Sequence, residues 1–101
     1  MKFQNKVAIV AGGARDIGRA ISEKLAVEGA KVVVNYCNSE QGANEAVDAI
    51  SRAGGEAIAV KGDMTVAADV ENLVKVAQAH YGETVDILVN VVGGLVARKS
   101  L

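Results

Sequence analysis

The chain has 101 residues, half of them hydrophobic, and a formal net charge of −1. This length holds the core of one domain, and the near-neutral charge argues against a nucleic-acid or membrane-surface binder. The apolar runs are of strand length and the first six residues show no secretion-signal pattern. The sequence therefore predicts a cytoplasmic protein that crosses no membrane and whose partners are small molecules.

Cys37 is the only cysteine and His80 the only histidine. A single cysteine can form neither an internal disulfide nor a cysteine-based metal cluster, which fits a reducing compartment. No basic residue stands beside Cys37, so it is interpreted as a bystander rather than a reactive thiol. His80 falls near the end of a predicted helix, where a positive charge is favourable, and no metal site is predicted.

A glycine-rich turn follows the first apolar run of the chain. This run predicts a strand over 6–11 that is buried on both faces, and an amphipathic helix follows the turn. Gly12 can adopt a backbone conformation closed to most residues, and Gly18 allows the helix to approach the strand. The N–H groups of the first helical turn point beyond the end of the strand, where a phosphate fits. By itself the turn leaves phosphate binding and a simple turn equally open.

Three more strands are predicted over 31–35, 56–61 and 86–92, and each is separated from the one before by a helix. Glycines 29, 54, 55 and 82 end the helices, and Ser39 and Thr65 are the predicted N-caps of the second and third. The three apolar helix faces are predicted to be Ile17, Ala20, Ile21 and Leu25; then Ala43, Ala46, Val47 and Ile50; then Val66, Val70, Leu73, Val74, Ala77 and Tyr81.

This alternation predicts an α/β fold in which right-handed crossovers give a parallel sheet. In the doubly wound arrangement the strand order is 3-2-1-4, and the direction of winding reverses between strands 1 and 4. The loops after these two strands, residues 12–18 and 90–94, would form the walls of a ligand crevice. Because no linker interrupts the pattern, residues 1–101 are interpreted as one domain.

Four motifs in this order resemble the amino-terminal part of the short-chain dehydrogenase/reductase family. They are Gly12-x-x-x-x-Ile17-Gly18, Asn35-Tyr36, Gly62-Asp63 and Leu88-Val89-Asn90-x-x-Gly93. The resemblance covers essentially the whole chain. It implies an incomplete Rossmann-type NAD(P)-binding domain and, in the parent protein, hydride transfer between the cofactor and a carbonyl or alcohol, as in 3-oxoacyl thioester reductases and sugar or alcohol dehydrogenases. It also implies a homo-oligomer.

The resemblance assigns cofactor binding to positions in four loops. They are Gly12, Ala14, Arg15, Asp16, Ile17 and Gly18; Asn35, Tyr36 and Cys37; Asp63 and Met64; and Asn90, Val91 and Gly93. Asp63 would accept a hydrogen bond from the adenine amino group beside the Met64 backbone, or it only caps the turn before the next helix. Asn90 would lie against the cofactor ribose, or it is a strand-end hydrogen-bonding residue, and Gly93 permits close approach or simply a turn.

The sequence departs from the family pattern in both crevice loops. Ala11 replaces the usual Thr, Asp16 the usual glycine, and Val91 and Val92 the usual Asn and Ala. The Asp16 carboxylate competes for the positive end of the helix, although Arg15 and Arg19 flank it as compensating cations. We expect weaker cofactor affinity without its loss.

The choice of dinucleotide depends on the end of strand 2. An acid there would bind the ribose 2′-hydroxyl and repel a 2′-phosphate. In this sequence the residue interpreted to occupy that position is Asn35, which carries no charge. Arg15 provides a cation for the 2′-phosphate, or it is a solvated loop arginine, and Cys37 stands where many NADP-binding members carry a second Arg. NADP is therefore favoured over NAD.

Catalysis in the family depends on a Ser and a Tyr-x-x-x-Lys pair, whose tyrosine acts as general acid or base. Neither tyrosine fits, because Glu40 follows Tyr36 and Val85 follows Tyr81 at that spacing. We expect this chain to contain the adenosine and diphosphate half of the cofactor site and to show no turnover alone. We also expect it to self-associate through the apolar edge of strand 4.

Two interpretations stay open, and two others are disfavoured. The chain is part of an NADP-dependent oxidoreductase, or it is a non-catalytic nucleotide-binding or interaction module. A nucleoside-triphosphate site is excluded because no Gly-Lys-Ser/Thr follows the turn. A methyltransferase usually needs an acid where Asn35 stands.

Overall fold

A computed structural model describes residues 3–12, 16–82 and 84–91 and, at Asp16, only the backbone. The elements in order are β1 (Val7–Ala11), α1 (Asp16–Val27), β2 (Lys31–Tyr36), α2 (Glu40–Arg52), β3 (Glu56–Lys61), α3 (Ala67–Tyr81) and β4 (Ile87–Asn90). The strands form one parallel sheet in the order β3-β2-β1-β4. The predicted fold and strand order are confirmed.

The strand boundaries differ slightly from those predicted. The third strand is as predicted, whereas the first begins at Val7, the second extends to Tyr36 and the fourth is limited to Ile87–Asn90. Val91 follows β4 outside the strand, and Val92 lies outside the described residues. Asp86 is not part of β4, but its carboxylate accepts the Val7 N–H at 2.9 Å and so ties the amino ends of β1 and β4 together.

Side chains alternate between two cores because successive strand residues point to opposite faces of the sheet. One face packs against α1 and α2, and its buried residues are Ala8, Val10, Leu25, Ala26, Ala30, Val32, Val34, Ala43, Ala46 and Ile50. The other face packs against α3, and its buried residues are Ile9, Val33, Leu73 and Ala77. We call these the two-helix face and the one-helix face.

The buried side of α1 differs from the predicted apolar face. Leu25 is buried as predicted and Ile21 half-buried, but Ile17 is 65 % exposed and Ala20 is exposed. The other buried positions include two small residues, Gly18 and Ser22. Ser22 Oγ donates to the Gly18 carbonyl oxygen at 2.9 Å, so its hydroxyl can be buried against the sheet. The apolar face predicted from hydrophobicity is therefore correct at Ile21 and Leu25 and wrong at Ile17 and Ala20.

Glycines end the helices as predicted. After α1, the N–H of Gly29 donates to the Ala26 carbonyl and that of Ala30 to the Leu25 carbonyl, with φ of +97° at Gly29. This paired arrangement satisfies the last carbonyls of the helix and requires a left-handed residue, which glycine adopts without strain. The same pattern follows α2 at Gly54, and Gly82 ends α3 with φ of +111°.

The two predicted N-caps have different outcomes. Ser39 is the N-cap of α2, although its side chain makes no capping hydrogen bond. Thr65 is not the N-cap of α3, because that position is Val66. The Thr65 hydroxyl and N–H both donate to Asp63 Oδ1, at 2.6 and 2.9 Å, which holds Thr65 in the preceding turn.

Candidate functional site

The carboxyl ends of β1 and β4 lie side by side. Ala11 pairs with Asn90 in the register of the two strands, and the Val91 N–H donates to the Ala11 carbonyl oxygen at 3.0 Å. On its other side β1 pairs with β2. The strands β2 and β3 are therefore added on one side of β1, and β4 is added on the opposite side. The predicted reversal of winding between strands 1 and 4 is confirmed, and this is the place where open α/β sheets bind ligands.

The glycine turn connects this reversal to the start of α1. Gly12 has a φ of +81°, in the left-handed region that a side chain disfavours. The helix begins at Asp16, and the burial of Gly18 keeps its first turn close to the sheet. Ala14, Arg15 and the side chain of Asp16 lie outside the described residues. The described backbone thus directs the amino end of α1 toward the crevice.

Arg19, one of the two cations predicted to compensate Asp16, pairs with acidic side chains of α1 and α2, and the side chain of Asp16 lies outside the described residues. The Nε of Arg19 donates to Glu23 Oε2 at 2.8 Å, and its Nη1 lies 3.5 Å from Glu45 Oε1 on α2. The hydrogen bond that Arg19 donates to Glu23 raises the pKa of Arg19 above its ordinary value. Because Glu23 lies one turn farther along α1, the guanidinium is held away from the amino end of the helix.

Asn35 is oriented differently from the sequence interpretation, which placed it where an acid would meet the ribose. The residue is 1 % exposed. Its Oδ1 accepts the Gly12 N–H at 3.2 Å, and its Nδ2 lies 3.2 Å from each of the carbonyl oxygens of Val60 and Gly62. The amide therefore binds protein groups on both sides. The half-buried Tyr36 and the exposed Cys37 are the residues that reach the surface at this strand end.

The turn after β3 is organised by two aspartates. Asp69, in the first turn of α3, accepts the Asp63 N–H through Oδ2 at 2.8 Å, while Asp63 Oδ1 accepts both bonds from Thr65. The bonds from Thr65 hold the pKa of Asp63 below its ordinary value. Asp63 thus caps the turn, as one of the two sequence interpretations has it. Both bonds from Thr65 end on Oδ1 rather than on Oδ2.

An apolar groove of about 230 Å³ lies between α3 and the strands β1 and β4. Two predicted site residues, Met64 and Asn90, are among its lining residues, and both are half-buried. The remaining lining residues are Ile9, Ala11, Val70, Leu73, Val74, Val85 and Leu88. Val91 is also half-buried, and Gly93 lies outside the described residues. The groove therefore continues from the crevice onto the one-helix face.

A second depression, on the surface of α2, has the wrong charge for a dinucleotide. Its lining contains Glu40, Glu45 and Asp48, which would repel phosphate groups. Within residues 3–12, 16–82 and 84–91, no group of three or more His, Cys, Asp or Glu residues could hold a metal ion. None of the helices in this part of the chain is long and apolar enough to cross a membrane.

A doubly wound parallel sheet with a glycine turn at its reversal defines the class of nucleotide-binding α/β domains. A family model described as short chain dehydrogenase matches residues 6–100. The chain belongs to the short-chain dehydrogenase/reductase family, whose members are NAD(P)-dependent oxidoreductases, and this confirms the resemblance in the four motifs.

Three relatives show how similarity is distributed. An uncharacterized oxidoreductase of Methylorubrum extorquens is 47% identical over 89 residues, which are 88% of this chain and 36% of that protein. The short-chain dehydrogenase/reductase homolog YusS of Bacillus subtilis is 44% identical over 90 residues, which are 89% of this chain and 82% of YusS. A Serratia marcescens short-chain dehydrogenase/reductase structure superimposes with a TM-score of 0.85 at 42% identity, covering 89% of this chain and 36% of that one.

The chain thus spans about a third of the Methylorubrum and Serratia proteins but most of YusS. The shared region is the part that contains the glycine turn and the crevice between β1 and β4.

Proposed function

We propose that this chain binds the adenosine and diphosphate half of NADP(H), or of NAD(H), within an oxidoreductase that reduces a carbonyl or oxidises an alcohol. The observation that carries the proposal is the left-handed turn at Gly12, between the end of β1 and the start of α1, at the reversal of winding. The unpaired N–H groups at the amino end of α1 have partial positive charge and attract an anionic diphosphate. The nicotinamide of the bound cofactor would donate or accept the hydride.

The described loops offer groups of suitable chemistry for the rest of the nucleotide. Oδ2 of Asp63 is a carboxylate oxygen that can accept from the adenine amino group, with Met64 beside it. Tyr36 and Cys37 border the adenosine ribose, while Asn90 and Val91 border the crevice on the β4 side. Ala14, Arg15, Asp16, Ile17, Gly18 and Gly93 complete the proposed set by their positions in the motifs.

Calorimetric titration of the chain with NADPH and with NADH tests the proposal. We expect binding, and we expect Gly12→Ala to weaken it about tenfold, because a Cβ strains a left-handed turn by about 1–2 kcal/mol. Gly82→Ala is the matched control: φ at Gly82 is +111°, a Cβ there would meet no heavy atom within 4 Å, and the residue lies near the amino ends of β1 and β4, away from the crevice. Absence of binding at millimolar dinucleotide would contradict the proposal.

A preference for NADP(H) is supported by the absence of a carboxylate at Asn35, Tyr36 and Cys37. Since Tyr36 reaches the surface at the end of β2, the carboxylate of Tyr36→Asp should repel the 2′-phosphate. The affinity for NADPH should fall about tenfold relative to the affinity for NADH. Tyr36→Asn removes the ring without adding charge and should leave that ratio nearly unchanged. Arg15→Ala, outside the described residues, should weaken NADPH alone if Arg15 pairs with the 2′-phosphate; an unchanged dissociation constant would exclude that role.

A non-catalytic nucleotide-binding module is the second candidate function. The observation in its favour is that YusS, a relative of which this chain covers 82%, is of similar length. Both candidates predict dinucleotide binding, and for this chain alone both predict no oxidation of NADPH with any carbonyl substrate. Absorbance at 340 nm would follow the reaction, and turnover by the purified chain would contradict the absence of catalytic groups.

A further inference from the structure

We propose that Asn35 is a positioning residue that fixes the glycine turn for the diphosphate, and that it does not select between NADP and NAD. The inference rests on the proposed dinucleotide binding and assigns one residue of that site a different part in it. Its basis is a buried side-chain amide that joins three of the four strand ends at the crevice edge.

The position of Asn35 follows from the alternation along β2. Val32 and Val34 point to the two-helix face, and Val33 to the one-helix face. Asn35 therefore continues the row of Val33, on the side of α3. Gly62 closes over it, since a Cβ on that glycine would lie 3.5 Å from Asn35 Nδ2 and 3.2 Å from Met64 Cε. The amide is enclosed by protein and cannot reach a ribose without leaving its partners.

The hydrogen bonds of Asn35 need both halves of an amide. Oδ1 accepts the Gly12 N–H, which belongs to the turn after β1, and Nδ2 faces the carbonyl oxygens of Val60 and Gly62 at the end of β3. A carboxylate in the same place would present acceptors to two carbonyl oxygens, and an apolar side chain would leave the buried groups unpaired. No buried side-chain nitrogen or oxygen in the described residues lacks a hydrogen-bond partner.

Two consequences follow for the diphosphate. The N–H of Gly12 is already engaged, so it is not available to an anion, which is left with the amino end of α1. The same bond restrains Gly12 in its left-handed conformation, with φ of +81°. Asn35 thereby holds Gly12, the first residue of the turn, relative to β2 and β3 before any ligand arrives, and such preorganisation increases affinity by reducing the ordering that binding requires.

Asn35→Ala and Asn35→Asp test this inference, with Asp86→Ala as the matched control. The Asp86 carboxylate accepts the Val7 N–H at 2.9 Å, which is also a side-chain bond to β1, but at the opposite end of that strand. The first readout needs no cofactor: it is the hydrogen-exchange rate of the Gly12 backbone amide, measured by NMR. Exchange should become at least about tenfold faster in Asn35→Ala, which removes the acceptor of the Gly12 N–H, and stay near the wild-type rate in Asp86→Ala.

The second readout is affinity for the oxidised dinucleotides NADP⁺ and NAD⁺, which tolerate acid, with each value divided by that of the wild type at the same pH. We expect Asn35→Ala to weaken both by a similar factor of about tenfold, with their ratio within about twofold of the wild type. A change of that ratio by more than about fivefold would mean that Asn35 reads the ribose, and would overturn the inference.

The pH profile separates positioning from a general loss of stability. Burial beside two carbonyl oxygens would raise the pKa of the new carboxyl in Asn35→Asp. Once protonated, it can donate to one carbonyl and accept from Gly12, as the amide does. The affinity of Asn35→Asp should thus approach that of the wild type as the pH falls from 8 to 5, whereas the deficit of Asn35→Ala should not change with pH. Equal pH dependence in the two variants would contradict the inference.

The outcomes distinguish this inference from the proposed function. If the wild type binds neither dinucleotide while Gly12 exchange responds to Asn35, the proposed function fails and the positioning of the turn stands. If the wild type binds and the Asn35 variants bind equally well, the inference alone fails. Should Asn35→Ala not fold, the reversible pH response of Asn35→Asp, with thermal melting as a check on folding, decides the matter.

Discussion

The two faces of the sheet are covered unequally. On the two-helix face, α1 and α2 bury a continuous core that extends from Ala8 to Ile50. On the one-helix face, α3 buries Leu73 and Ala77 but leaves Val70 39 % exposed beside the apolar groove. The difference teaches that most of the buried core lies on one side of the sheet, whereas the apolar surface available for further contacts is on the other.

The largest contrast is expected for a large-to-small substitution on each face. Ile50, 2 % exposed, packs against the two-helix core, and Ile50→Ala should reduce the free energy of unfolding by about 2–4 kcal/mol because it leaves a cavity. Val70→Ala on α3 should cost less than about 1 kcal/mol, since much of that side chain is already in water. Urea denaturation measures both. Similar losses would mean that the faces contribute equally.

The close approach of α2 to β3 offers a second contrast on the two-helix face. A Cβ on Gly55 would lie 2.9 Å from Ile50 Cγ2 and 3.3 Å from Ala26 Cβ, so Gly55→Ala should cost about 1–3 kcal/mol through overpacking. At the neighbouring Gly54 a Cβ meets nothing within 4 Å, but φ is +92°, and Gly54→Ala should cost about 1 kcal/mol through backbone strain. Thermal unfolding of the two variants compares them, and a larger loss at Gly54 would refute this ordering.

We expect copies of the chain to associate at the edge of β4, beside the apolar groove of the one-helix face. In the described residues β4 is an outer strand of the sheet, and the apolar groove lies beside it. Unpaired backbone groups at such an edge can pair with another chain. Val70→Lys should therefore reduce self-association severalfold in sedimentation velocity. Val27→Lys places the same charge on α1, where Val27 is 61 % exposed, and should have little effect. Equal reductions would point to a general effect of charge.

The sequence predicted the sheet well because strands buried on both faces give uninterrupted apolar runs. The strand order and β3 were correct, and the shifts at β1, β2 and β4 are of the size that strand ends usually show. The face of α1 was wrong at Ile17 and Ala20, since packing buried the small residues Gly18 and Ser22 instead. Periodicity identifies apolar stripes, but it does not show how closely a helix approaches the sheet.

The candidate site could be predicted less completely. The motifs located the glycine turn and the loops after β3 and β4, yet the orientation of Asn35 was missed. One signal was available, because strand alternation places Asn35 in the row of Val33 and moves the surface position to Tyr36. The pairing of Arg19 with Glu23 and Glu45 depended on the contact between α1 and α2. No local pattern in the sequence contains that information.

The smallest expected effect concerns the turn that begins α3, the helix of the one-helix face. The Thr65 bonds hold the pKa of Asp63 below its ordinary value, so the charged form is favoured in the folded protein. The stabilisation is therefore present above the ordinary aspartate pKa of about 4 and is lost as the pH falls through the lower pKa of the folded protein. Thr65→Ala removes the bond from the hydroxyl and should raise the pKa of Asp63 toward its ordinary value.

Thr65→Ser keeps the hydroxyl and is the matched control. NMR titration of the Asp63 carboxyl carbon measures the pKa in the three proteins, and the serine variant should stay near the wild type. Because the backbone N–H of Thr65 still donates to Oδ1, the shift in Thr65→Ala should be incomplete. A pKa that is the same in all three proteins would show that the hydroxyl bond does not hold Asp63 in the turn. Asp63 would then be restrained by the backbone alone, and the cap would place little constraint on its orientation toward an adenine.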